Sequence, residues 1–349
     1  MSRDHLVEQP PVEGISSLAW LGDSILASGN WDNSIRLFQA GNAPPFSNHS
    51  ILRHHKAPVL AVSAGPFSDD SVLSGSIDGD VRLSRADNFS NVLGTHLRPV
   101  RCVLYCPEMR ACISGSWDCT VKLWDAQSSS GSSSREIGSA TLSDKVFAMS
   151  ILKGMLVVGT ANRSLHYFDF RKLGDGPVMT RESPLKHQTR CIESSPHGEF
   201  LAIGCTEGRV AIEFTNTESS SKSYAFKCHR RKETEPAGAE TIFPVHAISF
   251  HPTFGTFVTG GGDGQVAFWD GLGRKRLSTA GPFSNSISAL SFSPDGTKLA
   301  MASSYDFSKG DERHPVDSLI LRKIIETEVK PKTATPLAGG GGGGGGGGT

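Results

Sequence analysis

Apolar and polar residues alternate along this chain in short runs, and turn-forming residues separate the runs. In "GSWDCTVKLWD", Gly115 to Asp125, Val121 and Leu123 alternate with polar neighbours, as a strand with one buried face requires. The preceding "ACIS" reads as a partner strand. "GSWDCT" reads as the turn between them, with Asp118 placed to accept hydrogen bonds from turn amides. One hairpin cannot bury its apolar face alone, so it needs neighbours. The same pattern recurs as "GNWDNSIRLF" from Gly29, "GSIDGDVRLS" from Gly75 and "GTANRSLHYFD" from Gly159. It returns as "GCTEGRVAIEF" from Gly204 and "GGGDGQVAFWD" from Gly260, and a degenerate seventh copy begins near Ala302 and resumes at "DSLILR". Successive leading glycines lie 46, 40, 44, 45 and 56 residues apart.

That spacing is close to the period of a propeller blade with a WD ending, about 40–45 residues. A further apolar run precedes most copies, among them "GISSLAW", "PVLAVSAG", "PVRCVLYCP", "KVFAMSI" and "PVHAISFHP". Seven units of about four strands predict an all-β fold, a seven-bladed WD-repeat β-propeller. Closing the ring requires a strand from outside the last repeat, and "DHLVEQP" (Asp4–Pro10) is placed to supply it against "DSLILRKI". The expected organisation is a single propeller over residues 1–330, with a flexible loop at 128–136 and an insertion at 216–240. Within that insertion "YAFKCHR" can form a strand. The Gly-rich tail at 331–349 is expected to be disordered.

Composition changes this picture little. Of the 349 residues 37% are apolar, and no apolar run approaches the roughly 18 residues a membrane span needs. The first residues are polar, unlike a secretory signal. Seven cysteines point to a reducing compartment, nuclear or cytosolic. Lys+Arg and Asp+Glu stand at 35 each, so no global charge draws the chain to nucleic acid or membrane.

The candidate chemistry resolves into structure. His96, Ser114 or Ser116, and Asp118 have the residue types of a hydrolase triad. WD repeats, however, use such residues with a closing tryptophan as a hydrogen-bonded brace, and His96, Ser114, Asp118 and Trp124 supply all four parts. Degraded copies of the set recur along the chain, which a brace needs and an active site does not. Cys102, Cys106, Cys112 and Cys119 lack a C-x-x-C pair and read as small core residues. "GGGDG" at Gly260–Gly264 lacks the Lys-Ser/Thr of a P-loop and reads as a hairpin turn where glycine permits positive φ. No catalytic residue, cofactor or metal is expected.

What remains is a surface. Trp31 and Trp117 occupy the same turn position in repeats one and three, where other repeats carry Ile77, Ala161, Thr206 and Gly262. Large aromatics in turns are binding anchors. Arg190, Arg209 and Lys227 add positive charge around repeats five and six. Together the five residues suggest a site for an acidic, partly apolar peptide.

These residues also carry a resemblance. "QPPVEGISS", "VLGTHLRPVRCVLYCPE", "KVFAMSILKGMLVVGTANRSLHYFDFRK", "EGRVAIEF" and "HPVDSLILRKIIETEVKPK" are similar to the WD-repeat spindle-checkpoint family, third of the budding-uninhibited-by-benzimidazole group. The similarity spans about residues 9–332. "ESPLKHQ", "FHPTFGTF" and "SSYDFSKG" lean towards a related family, the WD-repeat mRNA-export factor of the nuclear pore. The resemblance implies a non-enzymatic adaptor that binds GLEBS-type segments of checkpoint kinases or kinase-related proteins. It implies recruitment of those partners to kinetochores through a phosphorylated scaffold, and an indirect effect on the anaphase-promoting machinery. Carried over by motif, Arg190 and Lys227, with Arg209 nearby, would meet paired glutamates, and Trp31 and Trp117 would give apolar contact. Residence in the nucleus, at mitotic kinetochores and in the cytoplasm follows, with no nucleic acid or membrane partner. The alternatives are an export factor binding a nucleoporin GLEBS segment and a substrate receptor of a ubiquitin ligase.

Overall fold

The computed structural model describes residues 3–11, 13–41, 46–67, 70–126, 136–215, 221–234, 238–310 and 312–331. Within them lie seven four-stranded antiparallel sheets and one two-stranded hairpin. The first strands of the sheets are Ile15–Leu21, Val59–Ala64, Val100–Cys106, Val146–Leu152, Thr189–Ser194, Val245–Phe250 and Ile287–Phe292. Each packs beside the first strands of the sheets on both sides, and the last of them meets the first. The sheets therefore stand radially around a closed ring, as blades of a seven-bladed β-propeller whose first strands line a central channel.

Six blades use four consecutive strands. The seventh has three, Ile287–Phe292, Lys298–Ser303 and Ser318–Lys323, and takes its outermost from the N-terminus, Asp4–Leu6. Asp4, His5 and Leu6 stand opposite Arg322, Leu321 and Ile320. Arg322, buried, donates to Asp4 Oδ1 and Glu328 Oε1, both at 2.6 Å. Arg3 pairs with Glu328 at 2.9 Å. The fold class and its closure agree with the sequence expectation.

Seven apolar clusters hold the ring, one between each pair of neighbouring blades. Blades two and three, for example, share Leu73, Val81, Leu83, Val100, Val103 and Trp124, and Val7, Ile15, Trp20, Phe38, Ala302 and Leu319 join blade seven to blade one. This arrangement explains the repeated glycine. A Cβ on Gly75 would lie 2.5 Å from Val100 Cγ1, one on Gly115 2.7 Å from Met149 Sδ, and one on Gly159 2.6 Å from Ile192 Cδ1. The glycine lets each blade approach the first strand of the next. Of the "GGGDG" run, Gly264 has positive φ (71°), whereas Gly260 lies in the strand Phe257–Gly261, against Ile287. The expected turn thus covers only the end of that run.

Two local readings also change. In blade three the strands are Ala111–Ser116 and Thr120–Asp125, so Gly115 and Ser116 belong to the strand and the turn is Trp117–Cys119. The expected insertion at 216–240 is partly blade. Tyr224–Lys227 is the fourth strand of blade five, where Tyr224 and Phe226 pack towards Trp269, and Arg230–Lys232 pairs with Glu240–Ile242. The loop expected at 128–136 lies outside the described residues except for Glu136, which begins the strand Glu136–Thr141. The tail expected at 331–349 lies outside them except for Pro331.

Candidate peptide-binding mouth

Each blade's first strand carries the same irregularity. The pairing with the second strand shifts register around its second residue, giving Ser16, Leu60, Arg101, Phe147, Arg190, His246 and Ser288 in turn. A bulge re-aims the side chain it carries. Here all seven residues line the end of the channel towards which the Asp-containing turns point. Above that ring opens a cavity of ≈ 260 Å³, walled by all of the seven but Phe147 and by Trp31, Trp117, Tyr305, Asp306 and Phe307.

The mouth is cationic on one arc and aromatic on the rest. Arg190 Nη2 donates to His246 Nδ1 at 3.3 Å, and His246 Nε2 donates to Asp306 Oδ2 at 3.1 Å, a chain that runs through a neutral imidazole. Burial pushes the Asp306 carboxyl up, but hydrogen bonds from His246 and Ser308 outweigh it and hold the group well below the usual range. Arg101 has no hydrogen-bond or ion-pair partner among the described residues, which leaves its guanidinium free for a carboxylate from outside. Trp31 is 46% exposed and Phe307 60%. Trp117 is half-buried edge-on against Phe147, and its Nε1 has no hydrogen-bond partner among the described residues.

Of the five residues expected to bind peptide, Trp31, Trp117 and Arg190 come together at this mouth. Arg209 and Lys227 do not line it. They stand opposite each other in the outer strands of blade five, on the same face of the ring, at 3.9 Å from Glu207 and 4.0 Å from Glu240 respectively. Arg101, His246 and the Tyr305–Phe307 segment were not among the expected site residues. A signal existed for the first two. They follow the first residue of their strands, in "PVRC" and "PVHA", as Arg190 does in "TRC".

The expected blade brace is a continuous hydrogen-bond chain in blade three. Trp124 Nε1 donates to Ser114 Oγ at 2.7 Å, Ser114 Oγ meets His96 Nε2 at 2.7 Å, and His96 Nδ1 donates to Asp118 Oδ2 at 3.0 Å. Asp118 Oδ1 also accepts from the Thr120 amide at 2.9 Å, which fixes the turn that carries Trp117. Burial lowers the pKa of His96 despite the neighbouring Asp118. Ser114 is fully buried, so no substrate reaches its hydroxyl. Blade six repeats the set with His229, Thr259, Asp263 and Trp269, and blade two has His55, Ser74 and Asp78 without the indole.

The family model "WD domain, G-beta repeat" matches residues 8–39, 46–83, 88–125, 239–270 and 274–308. The chain is 39% identical over 332 residues to the mitotic checkpoint protein bub-3 of Caenorhabditis elegans, covering 93% of this chain and 94% of that protein. It is 40% identical over 335 residues to the mitotic checkpoint protein BUB3.1 of Arabidopsis thaliana, with the same coverage. It is also similar to the mRNA export factor GLE2 of Chaetomium thermophilum, 32% identical over 348 residues, covering 95% of this chain and 93% of that one.

Proposed function

Because this chain belongs to the Bub3 family of WD-repeat mitotic checkpoint proteins, we propose that it is a non-enzymatic checkpoint adaptor. It binds acidic GLEBS-type segments of checkpoint kinases or kinase-related proteins across the propeller mouth. It acts in the nucleus and, in mitosis, at kinetochores, where a phosphorylated scaffold recruits it with its kinase cargo and anaphase is delayed. The observation that carries this reading is the convergence of Arg101 and Arg190 with Trp31 and Trp117 on one cavity. Guanidinium forks take carboxylates two bonds at a time, and exposed indoles supply apolar anchors at low entropic cost. Arg209 and Lys227 extend the positive charge outward on the same face and draw the acidic segment in.

The test is a calorimetric titration of the purified chain with GLEBS peptides from the checkpoint kinase and the nucleoporin of the same organism, each repeated with Arg190→Glu. Tight binding of the kinase peptide, lost in the variant, is the expected result. The similarity to GLE2 keeps mRNA export as the second reading, and preference for the nucleoporin peptide would establish it. Binding of neither peptide would overturn both.

A further inference from the structure

Below the mouth the channel continues as a cavity of ≈ 190 Å³. Its walls become apolar, with Leu18, Val103, Met149 and Ile248 among them, and then reach one carboxylate, Glu193. Strand register makes Glu193 the exception. The matching positions of the other first strands hold Ala19, Ser63, Leu104, Ser150, Ser249 and Ser291. Among the described residues Glu193 makes no hydrogen bond and no ion pair. Glu193 is half-buried on the channel wall, and a carboxylate unpaired there is a docking point for a cation.

We propose that the channel is a second subsite, which takes an apolar stem tipped with an ammonium against Glu193. Its occupant is a lysine side chain turned inward from a peptide whose carboxylates pair with Arg101 and Arg190. This rests on the reading of the mouth as an acidic-peptide site. Arg190 and Glu193 lie three residues apart on one strand, about 10 Å, and the wall between them is apolar, so the ligand needs a carboxylate and an ammonium joined by a hydrocarbon stem. An ammonium alone meets the repulsion of two guanidiniums at the mouth, and a carboxylate alone leaves Glu193 unpaired.

Proton linkage follows from this position. Burial pushes the Glu193 carboxyl up to about 8, with no opposing charge close enough to bring it down. The other titratable or charged groups on the channel walls are Arg101, Cys102, Arg190, Cys191 and His246. Burial raises the Cys102 and Cys191 thiols to about 11 and 12, so both stay protonated at neutral pH. A bound ammonium favours ionised Glu193, so binding at neutral pH expels its proton and affinity rises with pH until about 8.

A ligand-observed NMR titration of the full chain with 6-aminohexanoate, hexanoate and hexylamine tests this. At pH above 8, 6-aminohexanoate is expected to bind about tenfold or more tighter than hexanoate, the worth of one charge-assisted contact. Hexylamine is expected to be weaker as well. Glu193→Gln should erase the advantage and leave hexanoate affinity unchanged, and Glu193→Met serves if the amide variant does not fold. The advantage should shrink about tenfold per pH unit below 8. Equal binding of 6-aminohexanoate and hexanoate, no binding of 6-aminohexanoate, or an advantage that survives in Glu193→Gln would overturn the subsite. Failure of the peptide titration above, with 6-aminohexanoate still bound, would remove the partner assignment and leave the subsite standing.

Discussion

His96 shows how one buried side chain ties a blade to solution pH. Its imidazole bridges Ser114 and Asp118, and burial holds it neutral with a pKa below the ordinary 6.5. Burial shifts His54, His166 and His251 the same way. The folded state therefore binds fewer protons than the unfolded chain below that value, so this part of the stability is present above pH 6.5 and is lost as the pH falls. The melting temperature should drop on acidification from neutral pH, as calorimetry would record. His96→Ala should cost about 1–3 kcal/mol at neutral pH, because it orphans Ser114 and Asp118, and should make the acid slope shallower. Glycine gives the second residue-scale test. Gly75→Ala is expected to cost about 1–3 kcal/mol through overpacking, and Val100→Ala in the same chain should return part of that loss. A cost unchanged by the second substitution would place the effect in the backbone instead of the blade interface.

At the scale of elements, the bulge and the closing strand matter most. Without the bulge, the strict alternation of a strand would not aim the residue after its first at the channel mouth. The closing strand joins residues more than three hundred positions apart and covers the outer edge of blade seven, which would otherwise present unpaired backbone. Deleting residues 1–10 removes Asp4 from Arg322 and Val7 from the cluster between blades seven and one. The expected result is a substantially lower melting temperature, and an unchanged one would show that Ser318–Lys323 holds the ring unaided. "DHLVEQP" was legible as that strand because ring closure demands one from outside the last repeat. The fourth strand of blade five was harder to read, because Tyr224 and Phe226 gain their apolar surroundings from Trp269 of blade six.

For the whole molecule, closure turns seven local irregularities into one cationic and aromatic mouth. If acidic peptides bind there, Arg101→Glu should weaken them about as much as Arg190→Glu, by about tenfold or more. Arg209→Glu and Lys227→Glu should act mainly on association rate, and less as salt rises, because both charges stand outside the cavity. Titrations at two ionic strengths would separate these groups. An Arg209→Glu loss as large as that of Arg190→Glu, and insensitive to salt, would move the site outward onto blade five.

Spacing and residue type were enough to read the number of blades, most of the strand pattern, the members of the blade-three brace and the two turn tryptophans, and the need to close the ring pointed to the N-terminal strand. The first four are local or repeat along the chain, and the last follows from the unpaired edge that an open ring would leave. Only the tertiary arrangement shows that Arg101, Arg190 and His246 share a ring, that Arg209 and Lys227 stand outside it, and that Glu193 lies half-buried on the channel wall beneath it, unpaired among the described residues. The physical reason is that alternation assigns a side chain to one face of a strand. Whether that face meets a neighbouring blade or the channel depends on bulge register and on ring closure, which brings together residues far apart in the chain.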